Sequence, residues 1–144
     1  MSLFSILSIG ASGMAAQRTR AELLTENLAN AETTRTPEGG PYRRKDVVFA
    51  SAEIDSPFAS AFNGELESAG GVEVSDVVTD TREPERRYMP GHPDADADGY
   101  VAFPRINPAE DMVDLMDSAR GYEANVAAMS AAKDMIERSL DLLK

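Results

Sequence analysis

Taken in steps of three and four from Asn107 onward, the last third of the chain lines up Met112, Leu115, Ala119, Tyr122, Val126, Met129, Lys133, Ile136, Leu140 and Leu143. Each is apolar or small except Lys133. A stripe held through several heptads marks a helix that faces another helix. Its start is punctuated: Asn107 suits the cap, Pro108 the first helical position, and Glu110 the far half of a capping box. At about 1.5 Å per residue such a helix runs roughly 55 Å. A small domain does not cover a stripe of that length, so a second long helix is required. Periodicity alone leaves two readings open, one helix of an ordinary bundle and one member of a coiled coil or filament.

The other end of the chain supplies the second stripe: Leu3, Leu7, Gly10, Met14, Gln17, Ala21, Leu24, Leu28 and Ala31, with Gln17 as its only long polar member. The first charged side chain is Arg18. Gly10 and Gly13 each cost about 1 kcal/mol against Ala inside a helix, so this helix is expected to form when packed. Asn30 is placed to stop it in a left-handed conformation. The two stripes are similar in length and suit antiparallel pairing. Setting Leu3 near Leu143 brings Gln17 beside Lys133, where an amide oxygen and an ammonium can satisfy each other and fix register. The alternatives are that Lys133 snorkels out to water along its methylenes or meets an acid of a neighbouring subunit. Ile6, Ile9, Leu23, Met116 and Met135 form apolar rims left for other subunits.

Between the helices the period changes. Residues 33–46 hold two prolines, the Gly39-Gly40 pair and the cluster Arg43-Arg44-Lys45, a loop with a basic end where a phosphate or lipid site is one reading. Val47-Val48-Phe49 opens a strand, and residues 55–71 read as a loose surface loop. Val72 to Thr81 alternates with a bulge expected near Asp76, and Arg87–Met89 and Tyr100–Phe103 are two further short strands. The fold class is therefore α+β: two long terminal helices packed as an antiparallel coiled coil, with a small antiparallel β-rich insertion between them. Residues 1–32 with 108–144 form one split helical domain, and residues 33–107 form the loop and small β-rich domain.

Charge and composition narrow the function. The chain of 144 residues carries a net charge of −11 with a pI near 4.4, which argues against bulk nucleic-acid binding. The acid is concentrated in the middle of the chain and reads as a solvated face. No cysteine is present, so neither disulfide nor thiolate chemistry exists here. The apolar start lacks the basic region of a signal peptide and is too short and too rich in Ser and Gly to span a bilayer.

Candidate chemistry is thin. Asp94-Ala-Asp96-Ala-Asp98-Gly99 copies the opening of a calcium loop, but Arg105 stands where the last, bidentate Glu belongs, and Pro90, Pro93 and Pro104 exclude the flanking helices. A turn whose Asp side chains bond their own backbone is the better reading. His92 is the only histidine, and no nucleophile–base pair is arguable, so no catalytic residue, cofactor, metal or small-molecule substrate is assigned.

The segments "ASGMAAQRTR", "ENLANAETTRTPEGGPYRRKDVVF" and "PDADADGYVAFPRINPAEDMVDLMDSARGYEANV" closely resemble the flagellar basal-body rod proteins, and among them the proximal-rod branch. The resemblance covers residues 1–49 and roughly 88–144. It departs at Thr25-Glu26, at Arg105-Ile106 and at Gly121, where small polar residues, Asn-Val and Ser are more usual. It implies a structural subunit of the proximal rod, in a helical tube that serves as drive shaft and export channel wall. The terminal helices would lie antiparallel and line the inside. The loop after the first helix (Pro37, Gly39, Gly40, Tyr42, Arg43, Arg44) and the β region would face outward against other subunits. The implied partners are other rod proteins and copies of itself, the membrane-ring and export-gate base of the rod, and the ring bushing around it. Export by the flagellar type III apparatus without a cleaved signal is likewise implied. A soluble binding module built on a helical hairpin, and a calcium-responsive protein, are the rival classes.

Overall fold

The computed structural model describes residues 3–53 and 70–141. Leu143, most of the loop read over residues 55–71 and the side chain of Leu3 lie outside them. Two helices dominate, α1 over Leu3–Ala29 and α2 over Pro108–Asp141. They pack side by side and antiparallel: passing up α1, Gly10 meets Met129, Gly13 meets Asn125, Gln17 meets Gly121 and Arg20 meets Asp114. The architecture is α+β, two terminal helices packed together with small antiparallel sheets between them in the chain.

The helix ends follow local chemistry. Asn107 caps α2, its Oδ1 accepting from the Ala109 amide at 3.2 Å and its carbonyl from the Asp111 amide at 3.0 Å. Asn30 does stop α1, but not through a left-handed backbone, since no described residue other than glycine has positive φ. Its side chain terminates the helix instead. Asn30 Nδ2 donates to the Glu26 carbonyl at 2.9 Å, and Oδ1 accepts from the Thr33 hydroxyl at 3.1 Å. The Glu26 carbonyl also accepts the Asn30 amide at 3.1 Å, so backbone and side chain of Asn30 converge on it where the helix ends.

Among its described residues the insertion holds two separate two-stranded antiparallel sheets. Strand β1 (Lys45–Glu53) pairs with β2 (Gly70–Thr79) from Lys45↔Thr79 to Glu53↔Gly70. The register steps from Val48↔Asp76 to Phe49↔Val74, so Ser75 is the extra residue of a bulge beside Asp76, where the sequence placed one. Ser75 Oγ donates to the Val48 carbonyl at 3.0 Å and pins the bulge. Strand β3 (Glu85–Tyr88) pairs with β4 (Tyr100–Phe103). Here Tyr88 meets Tyr100 edge to face, and the Arg87 guanidinium lies over the Phe103 ring.

The β1–β2 ribbon runs back along the flank of α1. Near one end of α1, Asn27 holds Lys45; near the other, the Ser12 hydroxyl accepts from the Val72 amide at 3.1 Å. Buried apolar side chains among the described residues are few: Ala16, Leu24, Tyr42, Val101, Phe103, Pro104 and Ala132. Many larger ones, from Val48 to Leu140, remain exposed. The described residues share only a small apolar core.

Candidate functional site

The α1–α2 contact is built on glycine. A Cβ at Gly10 would lie 2.8 Å from Met129 Cγ, at Gly13 3.0 Å from Asn125 Nδ2, and at Gly121 3.2 Å from Gln17 Cδ. The residues that weaken the isolated helices are thus seats for side chains of the opposite helix. On α1, of the residues read as its seam, Leu24 is buried, and Leu7, Met14, Gln17 and Leu28 are half-buried.

On α2 the face turned to α1 is not the one periodicity selects. Asp111, Ser118 and Ala132 are buried there, with Asp114, Leu115, Gly121, Asn125, Met129 and Ile136 half-buried. Of the seam read from the sequence, Leu115, Met129 and Ile136 sit at the border of this face, whereas Met112, Tyr122, Val126 and Leu140 are exposed. The true face is rotated by roughly 60°, less than one residue's step, which is why Leu115, Met129 and Ile136 fall on both. The reason is steric and polar. Close approach sets the glycines of each helix against Met129, Asn125 and Gln17 of the other, and Asp111 turns inward to meet a cation.

The expected register also fails. Gln17 lies over Gly121, and Lys133 stands twelve residues further along α2, about 18 Å away along the axis. Lys133 is exposed and faces Glu137 at 3.7 Å. Extending the observed pairing sets Leu3 opposite the turn near Met135, about two turns short of Leu143. Helix α2 therefore overhangs the start of α1.

What the rotation leaves open is an apolar flank on α2. Met112, Met116, Ala119, Tyr122, Val126 and Leu140 follow one side, with Met116 60% and Leu140 57% exposed. Of the rims named from the sequence, Met116 and Met135 are exposed and Ile6, Ile9 and Leu23 half-buried.

Where the helices meet the ribbon, polar side chains converge on Arg44 and Lys45. Asn27 has no exposed surface. Its Nδ2 donates to the Lys45 carbonyl at 2.8 Å, and its Oδ1 accepts from the Lys45 amide at 2.9 Å and the Tyr42 hydroxyl at 3.0 Å. The amide thus acts as a strand partner for the first residue of β1 and closes that part of the edge. Burial, followed by the charge of Glu26, pushes the Tyr42 hydroxyl up to about 12 and keeps it a donor. Lys45 Nζ reaches Glu26 at 2.6 Å. Arg44 Nη2 lies 3.0 Å from Asp111 Oδ1, 3.4 Å from Asp46 and 3.9 Å from Asp114, which Arg20 also meets at 3.2 Å. The Arg44–Asp111 contact is ionic but poorly directed, and neither oxygen of Asp111 receives a hydrogen bond among the described residues. Burial pushes the Asp111 carboxyl up, more than the Arg44 charge pulls it down; Asp46, Asp114 and Glu110 add to the rise.

The basic cluster is consequently spoken for within the fold. Arg44 faces carboxylates, Lys45 pairs with Glu26, and Arg43 donates to the Asp80 carbonyl at 3.1 Å. That argues against an anion site at residues 43–45. Sequence reasoning missed Asn27 and Asp111; the only signal was a polar residue at helical spacing from buried apolar ones. The loop named as subunit-contacting folds on itself. Gly39 and Gly40 have positive φ, the Thr36 amide donates to the Gly40 carbonyl at 2.8 Å, and Tyr42 is buried while Pro37, Gly39, Gly40 and Arg43 are exposed. A groove of about 190 Å³ lies nearby, between Leu23 and Leu24 of α1 and Val47 and Phe49 of β1.

The Asp94–Gly99 segment is a turn held by its own side chains. Asp96 Oδ1 accepts from the amides of Asp98 and Tyr100 at 3.0 and 2.8 Å, and its other oxygen pairs with Arg86. Asp94 accepts from the Thr34 hydroxyl at 2.8 Å. Gly99 supplies the positive φ, at 81°. His92 Nδ1 accepts from the Asp94 amide at 3.2 Å. Among the described residues no cluster of His, Cys, Asp and Glu could hold a metal ion, and no helix is long and apolar enough to cross a membrane.

Comparison with known proteins places this geometry. Residues 97–142, the β4–α2 unit, match the family "Flagellar basal body rod FlgEFG protein C-terminal". The flagellar basal-body rod protein FlgC of Bacillus subtilis is 41% identical over the whole of both chains. FlgC of Salmonella typhimurium is 38% identical over 99% of this chain and 98% of its own. FlgC of Borreliella burgdorferi is 36% identical over all of this chain and 99% of its own. The chain therefore belongs to the FlgC family of flagellar basal-body rod proteins, structural and non-enzymatic subunits of the basal-body rod.

Proposed function

We propose that this rod subunit is built into the proximal part of the rod as a helically repeated element, with the apolar flank of α2 as its main contact with neighbours. Membership of the rod family implies assembly with other rod proteins; the finer partners belong to this reading. They are copies of itself, and the membrane-ring and export-gate base from which the rod rises. The single observation that carries it is the exposed line Met112, Met116, Tyr122, Val126 and Leu140 on a helix whose other face is already occupied by α1. An all-helical contact of this kind is worth roughly 1.5–3 kcal/mol for each large side chain fully buried. Heterologous contacts that do not close on themselves generate a filament, so a modest gain per contact sums to a stiff shaft. The terminal helices would line the inner wall of the tube. Leu7, Met14, Leu24 and Leu28 hold the subunit together from the α1 side, and the exposed Pro37, Gly39, Gly40 and Arg43 of the loop, with the ribbon, face outward against neighbours.

The test is reconstitution with rod proteins of the same organism, read by sedimentation and by imaging of the assembly. Incorporation with the α2 flank covered supports the reading. Incorporation with that flank facing solvent and the contacts made elsewhere removes it.

A further inference from the structure

Arg44 and Asp111 join the two mechanical parts of the subunit. Asp111 sits on the first turns of α2, against α1, with its side chain wholly buried. Arg44 directly precedes β1, and its carbonyl accepts from the Asp80 amide at 2.8 Å, the rung that closes the base of the ribbon. The guanidinium has alternatives at hand, Asp46 on β1 and Asp114 on α2, and it retains some solvent access. The carboxylate has none: its side chain is wholly buried with one off-line cation, whose Nε is likewise buried without a hydrogen-bond partner among the described residues. The charged groups facing it are Arg44 from before β1, Asp46 from β1, and Glu110 and Asp114 from α2, with the neutral Tyr42 hydroxyl close by and Arg20 of α1 engaged on Asp114.

We propose that Asp111 and Arg44 form a proton-controlled latch between the two-helix stem and the base of the β1–β2 ribbon. Ionised, Asp111 holds Arg44 inward; protonated, it releases Arg44 to Asp46 and Asp114 while the stem stays packed. The physical basis is asymmetry of desolvation. A buried carboxylate with one poorly aligned partner is costly, whereas the neutral acid suits the site. A carboxyl whose folded value lies above its unfolded one favours the folded chain increasingly as pH falls through that folded value, and it loses this share as pH rises. Mild acid therefore does not strain the stem at Asp111. It removes only the charge that holds the ribbon base. Asp80, whose amide reports on the rung, is held at about 2 chiefly by its hydrogen bonds from Arg82 and stays ionised through the same window.

The experiment uses isotopically labelled full-length chain. The carboxyl carbon of Asp111 is followed through a pH titration, and amide exchange, corrected for intrinsic rate, is read at Asp80, Ala16 and Leu24. The expected result is a midpoint for Asp111 above the ordinary value of about 3.9. Below that midpoint, protection at the Asp80 amide falls about tenfold or more while Ala16 and Leu24 hold, as for a local opening. Asp111→Asn should show low Asp80 protection already at neutral pH, with no step on acidification, and Asp114→Asn should keep the step. A midpoint at or below the ordinary value overturns the latch, as does a wild-type step that survives in Asp111→Asn. If that variant does not fold, the titration and exchange of the wild-type chain decide alone.

Discussion

Helices α1 and α2 touch each other along one interface, yet they bring opposite kinds of surface to it. From α1 come the residues hydrophobic patterning selects, Leu7, Met14 and Leu24, with Gly10 as a seat. From α2 come Asp111, Ser118, Gly121, Asn125 and Ala132, while its larger side chains Met112, Met116, Tyr122 and Val126 turn away. A free-standing protein gains by burying its largest apolar groups. This one leaves them out on one helix and covers them on the other. Helix α1, flanked by α2 and by the ribbon, is finished within the chain. Helix α2 keeps an apolar flank that the described residues leave uncovered. The apolar stripe of α2 lies mostly outside the interface within the chain, and in the proposed assembly it serves a neighbour.

The comparison breaks most visibly at Asn27. Replacing it by Leu leaves the Lys45 amide and carbonyl and the Tyr42 hydroxyl without their shared partner. Each stranded buried group costs about 1–3 kcal/mol, and partial rehydration brings the total to about 3 kcal/mol. Urea denaturation of the free chain should show that loss, larger than the loss at either glycine seat. A loss below about 1 kcal/mol would mean that α1 does not own the ribbon base.

The glycine seats come next, and they separate the two helices. Gly10→Val should destabilise by about 1–3 kcal/mol, because its added Cβ meets Met129 Cγ at 2.8 Å and the branched side chain adds volume. Gly121→Ala should be nearly neutral. The Cβ lies 3.2 Å from Cδ of Gln17, a flexible side chain, and the gain in helix propensity, about 1 kcal/mol, offsets that crowding. Thermal melts of the two variants measured together decide the order. The reverse order would place the tight approach at the other end of the stem.

These contrasts explain what was readable in the sequence. Both helices, the four strands and the bulge at Ser75 were legible, since each rests on local patterning and punctuation. The face of α1 was legible because its partners are within the chain. The face of α2 was not, because periodicity reports that a stripe is buried without reporting against what. Register is not legible for a related reason, and of the alternatives open for Lys133 the one that turns it to water is observed. Gln17 and Lys133 looked like mutual partners as the two polar breaks in apolar lines, but Gly121 offers Gln17 a seat and Lys133 faces water on the flank. Asn27 and Asp111 escaped because a buried polar group is recognisable only through the long-range partner it satisfies, and Lys45 and Arg44 lie on another element.

The smallest expected effect on the free chain is the sharpest test of the contrast. Val126 is 45% exposed and Leu140 57% exposed, so Val126→Asp and Leu140→Asp place a carboxylate at the surface and not in a core. Surface changes of this sort lie within about 0.5 kcal/mol of wild type. Helical content and melting of the isolated variants should therefore match the parent. In the assembled rod the same carboxylates would meet apolar groups of a neighbour with no partner, at a cost of several kcal/mol per subunit before pairing, repeated at every copy. Motility and incorporation into basal bodies should be lost while the free chain stays intact. The equivalent change on the α1 side, Leu24→Asp, should instead unfold the free chain, since Leu24 is 4% exposed. A flank variant that melts early, or one that assembles normally, would show that the outward face of α2 is not reserved for a neighbour.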